Sequence, residues 1–557
     1  MQQVRPVTVA RAVAEALSGL GVDHAFGLLG SGNFEVTRAL TDCGTRLVSA
    51  RHEGGAIVMA DAYARLTGRV GVCSVHQGPG LTNTVTGLTE AAKSRTPLLV
   101  LAADIPASAP RSNFRIDQRG LAESVGAGHD RLGSARTAVG DAVRAFGRAQ
   151  AERRPIVLSM PIDVQASPTS DSPAEAPPLR AGDGAGPGAP AEPDASAVSR
   201  AAGLLGAAER PLLIAGRGAV LANAREPLEA LAEAAGALLA TSAVANGLFA
   251  GSPWSLGISG GFATPLAASL IRQADVVVAF GATLNMWTTR HGRLVSPSAR
   301  VVQVDVEPDA IGAHHRVDLG VAGDAALAAR AVLAALPAAR RSGWRSPGLR
   351  AEIARRRWRD EPYEDAGDGE RIDPRTLAIA LDDLLPEQRL IAVDSGHAMG
   401  WLPMYCRVPD ERGFVFTQAF QAVGLGLATA IGAAVAVPER LTVAALGDGG
   451  ALMGLSELET AARLRLPMLI VVFDDAAYGA EVHHFGPDGI PVDLVRFSDT
   501  DFAGLARGAG AEGVTVRAAA DLEALRPWLA APAGPLVVDA KIVPTVVAEW
   551  LSEAFGH

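Results

Sequence analysis

Seven short apolar runs constrain this chain more than any other feature. They read TPLLVLAAD, RPIVLSMPIDV, RPLLIAG, ADVVVAFGA, RLTVAALGD, LPMLIVVFDD and GPLVVDAKIV, and Ala/Leu-rich stretches of helical pattern lie between them. A continuous apolar run suits a strand buried on both faces, which is the situation in a parallel sheet covered by crossover helices. The runs fall into three blocks, so the expected class is α/β with three doubly wound parallel-sheet domains. A chain of 557 residues, at ~150 residues per domain, leaves room for three or four.

Two stretches break the pattern. Residues 166–197 are rich in Pro, Gly, Ala and Ser and cannot bury enough apolar surface to offset ordering. Residues 340–374 are highly charged, with a middle able to form a polar helix. Both are expected to be linkers, separating domains at 1–165, 198–339 and 375–557.

The first and third blocks repeat each other. AAKSRTPLLVLAAD (91–104) lies over AARLRLPMLIVVFD (461–474) at an offset of 461 − 91 = 370, where Ala91, Ala92, Arg95, Pro97, Leu99 and Asp104 meet identical residues. Gly80 meets Gly450 at the same offset, so HQGPG and LGDGG both follow a strand. Ligands of open α/β sheets sit beyond the carboxyl ends of strands, which makes both loops candidate site walls.

In LTVAALGDGGALMGLSELETAARLRLPMLIVVFDDAAYG (441–479), a strand enters Gly447-Asp448-Gly449-Gly450, a helix follows, and a second strand ends at Asp474-Asp475. Adjacent parallel strands bring Asp448 and Asp475 together, and two carboxylates there repel unless a cation joins them. Magnesium suits oxygen ligands and is usually held by one or two carboxylates plus phosphates. The dinucleotide pattern G-x-G-x-x-G fails at Leu452, and GRGAVL fails at Leu221.

Glu53 stands between an apolar run and an Ala-rich helical run in RLVSARHEGGAIVMADAYARLTG. A carboxyl held among Gly, Ala, Ile and Val loses solvation, which disfavours its charged form. The segment RHEGGAIVMADAYARLTGRVGVCSVHQGPGLTN resembles the pyrimidine-binding segment of the acetolactate synthase and benzoylformate decarboxylase group of thiamine diphosphate enzymes. GDG followed by an acidic pair is similar to that family's magnesium–diphosphate signature, and QAVGLGLATAIGAAVA to the helix entry before it. FGATLNMWTTRHGRLVSPSARVVQVDVEPDAIG looks like the family's central domain.

The resemblance implies thiamine diphosphate and Mg2+ as cofactors. Asp448 and Asp475 would hold the metal by side chain and Ala477 by its carbonyl, with Asp475 departing from the family's usual Asn. Gly78, Pro79, Asn83, His397, Gln421, Val423, Gly447, Gly449, Gly450 and Tyr478 would line the cofactor, Gln421 through its carbonyl and Val423 as an apolar wedge. Glu53 would share a proton with the pyrimidine ring, while the cofactor carries the carbanion chemistry. His76, Ser31 and Glu481 stand where relatives place catalytic or substrate-contacting groups. His483 and His484, treated as neighbours on a strand, would point to opposite faces and make a poor metal pair.

The implied activity is decarboxylation or decarboxylating carboligation of a 2-oxo acid or aldehyde substrate. A 2-hydroxyacyl-CoA lyase and a non-catalytic nucleotide-binding relative are the alternatives, and bound flavin (FAD) is left undecided. In the family one site draws on two subunits, so a homodimer or homotetramer is implied. A net charge of −10 and the lack of a basic, aromatic-interleaved stripe argue against nucleic acid. No apolar run reaches membrane-spanning length, and Cys43, Cys73 and Cys406 are too scattered for a disulfide framework. The N-terminal stretch MQQVRPVTVARAVAEAL lacks secretory-signal features, so a cytoplasmic location is expected.

Overall fold

The computed structural model describes residues 7–169, 191–337 and 344–554. All seven apolar runs form strands, within three six-stranded sheets whose pairings are all parallel. In the first, β1 (His24–Gly27), β2 (Arg46–Ser49), β3 (Gly71–Val75), β4 (Leu98–Asp104), β5 (Gly128–Arg131) and β6 (Pro155–Pro161) are ordered β2-β1-β3-β4-β6-β5. The second sheet contains β7 (Pro211–Ala215), β8 (Leu238–Thr241), β9 (Ser255–Ile258), β10 (Val276–Phe280), β11 (Arg300–Asp305) and β12 (Leu319–Ala322), in the order β12-β11-β10-β7-β8-β9. The third contains β13 (Arg389–Val393), β14 (Phe414–Phe416), β15 (Leu441–Gly447), β16 (Met468–Asp474), β17 (Glu512–Val516) and β18 (Leu536–Lys541), in the order β14-β13-β15-β16-β18-β17.

Subtracting twelve from the third order reproduces the first. The 370-residue offset lands β4 on β16 end for end, since 98 + 370 = 468 and 104 + 370 = 474. The repeat in sequence is thus a repeat in topology. The middle sheet instead has the 3-2-1-4-5-6 order of a dinucleotide-type fold. At its switch point the chain closes on itself: a Cβ on Gly216, after β7, would lie 2.2 Å from the Gly281 carbonyl oxygen, after β10.

The helix Glu53–Thr67 packs against Gly426–Ala436, and the two domains share one core that includes Ile57, Leu88, Leu427 and Ile431. The approach is close enough that a Cβ on Gly432 would lie 2.3 Å from the Met59 carbonyl oxygen. The helix Glu53–Thr67 starts where the His52 Nδ1 accepts the Gly54 N–H at 3.0 Å and stops at Gly68, whose φ of 72° suits glycine. The half-buried Arg217 reaches out of the central domain to donate to the Ser94 carbonyl and the Thr96 hydroxyl. Burial lowers its pKa to about 9.

The helix Ala195–Ala207 begins inside the 166–197 stretch, whose residues 170–190 lie outside the described residues. The charged 340–374 stretch carries the exposed helix Pro347–Arg355 and then Trp358, whose indole N–H donates to the Phe262 carbonyl at 2.7 Å. That stretch therefore docks the third domain onto the central one as well as joining them. No helix among the described residues is long and apolar enough to cross a membrane.

Candidate active site

Strands β15 and β16 are neighbours, with Gly447 opposite Phe473, so the residues just beyond them meet. Asp448 and Asp475 are each 8% exposed. Burial, and then the charge of Asp475, push the Asp448 carboxyl up to about 7, although backbone N–H groups of Gly449 and Ala477 oppose the shift. The chain separates the two acids that end β16. Asp474 turns to Lys541, 2.5 Å away in a buried pair, and accepts the Ala476 N–H at 3.0 Å. Ala476 adopts φ 55°, which reverses the backbone and leaves Asp475 facing Asp448. The Tyr478 ring covers Gly449, where a Cβ would lie 2.6 Å from Cε1.

The facing wall is organised by Asp394, a residue the sequence reading passed over. It is 1% exposed and accepts N–H groups from Ser395 at 2.8 Å, Gly424 at 3.0 Å and Leu425 at 3.2 Å. Burial raises its pKa to about 6 against those bonds. These contacts fix the loop in which Gln421 adopts φ 59° and Val423 remains 42% exposed beside Gly450. Val423 thus presents an apolar side chain, half-exposed, to the cleft. His397 lies 3.6 Å from Asp475 through Nδ1, and its Nε2 accepts the Ala548 N–H at 3.1 Å.

Asp448, Asp475, His397, Gln421 and Val423 line a cavity of ≈ 540 Å³, together with Gly447, Gly449, Gly450, Ala477, Tyr478 and Glu481. The central domain contributes Ser259, Phe262 and Trp287, and the C-terminal helix Glu549–Ala554 contributes Trp550. Trp550 packs edge-on to Phe262 at 6.1 Å and occupies the space that a Cβ on Gly400 would need. Sequence reading missed Trp550 because a lone Trp near the end of a chain has no motif.

Residues 479–485 form a helix, Gly479–Phe485, which corrects the strand geometry assumed for the two histidines. His483 faces His397 with ring centroids 4.6 Å apart, while His484 lies against Phe485. Burial, and then the neighbouring His397, lower the His483 pKa to about 4.

The remaining expected residues gather elsewhere, at the carboxyl edge of the first sheet. Glu53 is 6% exposed and its Oε2 accepts from Asn83 Nδ2 at 2.9 Å. His76 Nδ1 accepts the Gly32 N–H at 3.1 Å, so in the neutral ring the proton is on Nε2. Ser31 is exposed between Gly30 and Gly32, the two glycines that flank the His76 ring. Gly78 has φ 62°, and a Cβ there would lie 2.8 Å from the Phe114 carbonyl oxygen, which explains the glycine before Pro79. None of these first-domain residues lines the cavity that holds Asp448 and Glu481.

Among the described residues no three His, Cys, Asp or Glu side chains converge as a ready-made metal cage. Two carboxylates and no more are what magnesium needs when phosphates complete its shell, so the residues present fit that ion.

Fold and cavity define a duplicated α/β protein with an acid-lined cleft at the carboxyl edge of a parallel sheet. Family profiles agree along the chain: residues 7–121 match the thiamine pyrophosphate enzyme N-terminal TPP binding domain, 198–336 its central domain and 394–540 its C-terminal TPP binding domain. The sulfoacetaldehyde acetyltransferase of Rhodobacter capsulatus is 30% identical over 99% of this chain and 96% of its own. A "Probable 2-ketoarginine decarboxylase" of Pseudomonas aeruginosa is 31% identical over 94% and 92%. The acetolactate synthase large subunit of Parasynechococcus marenigrum is 30% identical over 92% and 83%. The chain belongs to the thiamine pyrophosphate enzyme family, and thiamine diphosphate is its cofactor.

Proposed function

We propose that this enzyme uses thiamine diphosphate with magnesium to cleave and form C–C bonds on a 2-oxo acid, as a decarboxylase or a decarboxylating carboligase. The observation that carries the reading is Glu53, a buried carboxyl at a helix start with one oxygen held by Asn83. Holding a diphosphate does not require such a group, so a non-catalytic relative would have no use for it. The bound cofactor supplies the electron sink for the carbanion chemistry.

The chain's own residues bind, orient and move protons. Asp448, Asp475 and the Ala477 carbonyl would hold the metal. Gly449 and Gly450 would let the backbone approach a diphosphate, and Val423 would pack as an apolar support against the bound cofactor. With the cofactor bound, the Gln421 carbonyl would be placed to accept from its exocyclic amine, and Glu53 would be the carboxyl that holds or gives up a proton at the pyrimidine. His76 Nε2 and Glu481 deliver or remove protons at the substrate, and Trp550 with Phe262 keeps water from the cavity.

Glu53 does not line the cavity that holds Asp448, which supports a site completed by the first domain of a second copy and hence a homodimer as the smallest active unit. The test is incubation with thiamine diphosphate, magnesium and a panel of 2-oxo acids and aldehydes, reading carbon dioxide and acyloins by mass spectrometry. Cofactor binding without turnover of any 2-oxo acid refutes the reading. Turnover in the aldehyde or acyl-thioester arm alone would move the assignment to a lyase.

A further inference from the structure

The loop that leads into Glu53 and the loop that carries Gln421 are each held by a buried glutamate from the other domain. Glu457, 2% exposed on the third-domain helix Ser456–Arg463, accepts the Arg51 N–H at 3.1 Å and the His52 N–H at 2.9 Å. Its second oxygen accepts the Thr460 hydroxyl at 2.7 Å. Glu90, fully buried on the first-domain helix Val85–Lys93, accepts the Ala419 N–H at 3.1 Å and the Phe420 N–H at 2.6 Å. Those helices correspond under the internal repeat, since 85 + 370 = 455 and 93 + 370 = 463. Duplication has therefore set the same helix of each domain against the loop of the other.

The arrangement at Glu457 is specific. The Arg51 and His52 amides precede the first turn of the helix Glu53–Thr67 and have no helical acceptor, and the Glu457 carboxylate supplies one. Arg51 sends its guanidinium to Glu459 instead, at 2.5 Å, so the Glu457 carboxylate is met by backbone N–H groups and one hydroxyl. A buried charge is tolerated when donors converge on it in this way. Gly55 belongs to the same fit, because a Cβ there would lie 2.5 Å from Glu457 Oε1. The second glycine of the sequence His-Glu-Gly-Gly is thus the space through which one domain grips the backbone beside the acid of the other.

We propose that Glu457 is a positioning residue for Glu53, with Glu90 doing the same for the loop of Gln421. By clamping the two amides immediately before Glu53, Glu457 sets where that carboxyl stands relative to the aminopyrimidine. The proposal rests on the role given to Glu53 under the proposed function. A displacement of about 1 Å at a proton-transfer group lowers rate by roughly a hundredfold, so the effect is measurable without a known substrate.

The test compares the parent chain with Glu457→Asp, which withdraws the carboxylate by one methylene, and Glu457→Gln, which retains reach and an acceptor. Gly55→Ala serves as a second route to displacement should the aspartate variant fold poorly. Each is read by amide hydrogen exchange of residues 49–56 without cofactor, by affinity for thiamine diphosphate with magnesium, and by exchange of the cofactor's thiazolium hydrogen for deuterium. Glu457→Asp and Gly55→Ala are expected to speed amide exchange at 51 and 52 and slow thiazolium exchange roughly tenfold to a hundredfold, with affinity nearly unchanged and Glu457→Gln close to the parent. Thiazolium exchange at parental rate in the displaced variants overturns the proposal. A parent that binds the cofactor yet fails to speed its exchange overturns the role of Glu53 itself, a different result from the first.

Discussion

Replacing Asp475 with Asn probes the least ordinary feature of the cleft, a second buried carboxylate facing Asp448. Without metal, Asp448 must ionise beside a second carboxylate in a buried site, and its pKa rises from 3.8 to about 7. Three units correspond to about 4 kcal/mol between its two protonation states. The sign follows from linkage: between pH 4 and 7 the folded chain holds a proton that the unfolded chain has released, so stability falls as pH rises through that window. Burial is the larger cause and survives the substitution, whereas the charge of Asp475 does not. If the variant recovers about one unit, it gains about 1.4 kcal/mol over the parent at pH 8, or roughly 1 °C in melting temperature for cooperative unfolding of a chain this long. The difference should shrink toward pH 4. Thermal melts of both proteins in chelator, from pH 5 to 8, measure it. Parallel pH profiles for parent and variant would refute the claim that the two carboxylates feel each other.

Four further outcomes follow from the site and the packing. Glu53→Gln should lower turnover by roughly 10²–10⁴-fold with a modest change in cofactor affinity, and parental activity in the variant would remove Glu53 from catalysis. Inactive Glu53→Gln and Asp448→Ala chains, co-expressed, should recover roughly a quarter of parental activity if each site joins two copies of a two-fold dimer, and none if a single chain is sufficient. Gly432→Ala should cost about 1–3 kcal/mol in denaturant melts, because its methyl group meets the Met59 carbonyl where two helices cross. His483, with its pKa lowered to about 4, should titrate well below an exposed histidine by NMR, and its neutral burial should withdraw stability as pH falls from 6.5 toward 4.

The duplication and the acid pair were legible because both are local. Apolar runs of the right length, spaced by helical segments, specify buried parallel strands whatever their partners, and a constant offset exposes a repeat without any coordinates. The same logic placed Asp448 and Asp475 at neighbouring strand ends. What separates Asp475 from its neighbour Asp474, the left-handed turn at Ala476 and the pairing of Asp474 with Lys541, is tertiary.

Other features have no signature in one dimension. Glu457 lies 457 − 52 = 405 residues from a backbone amide it holds and reads as an ordinary helix acid. Asp394 reads as one more acid at a strand end, and Trp550 as an isolated aromatic. Hydrogen-bond donors along a backbone are chemically alike, so nothing in the sequence says which acid meets which amide. That is settled by how the helices Glu53–Thr67 and Gly426–Ala436 cross at Gly432 and bring two duplicated domains face to face. The amino-acid order alone determined three parallel sheets, their repeat and the chemistry available at their edges. Packing between domains decided which edge groups share a cavity, because that depends on close approach between surfaces hundreds of residues apart.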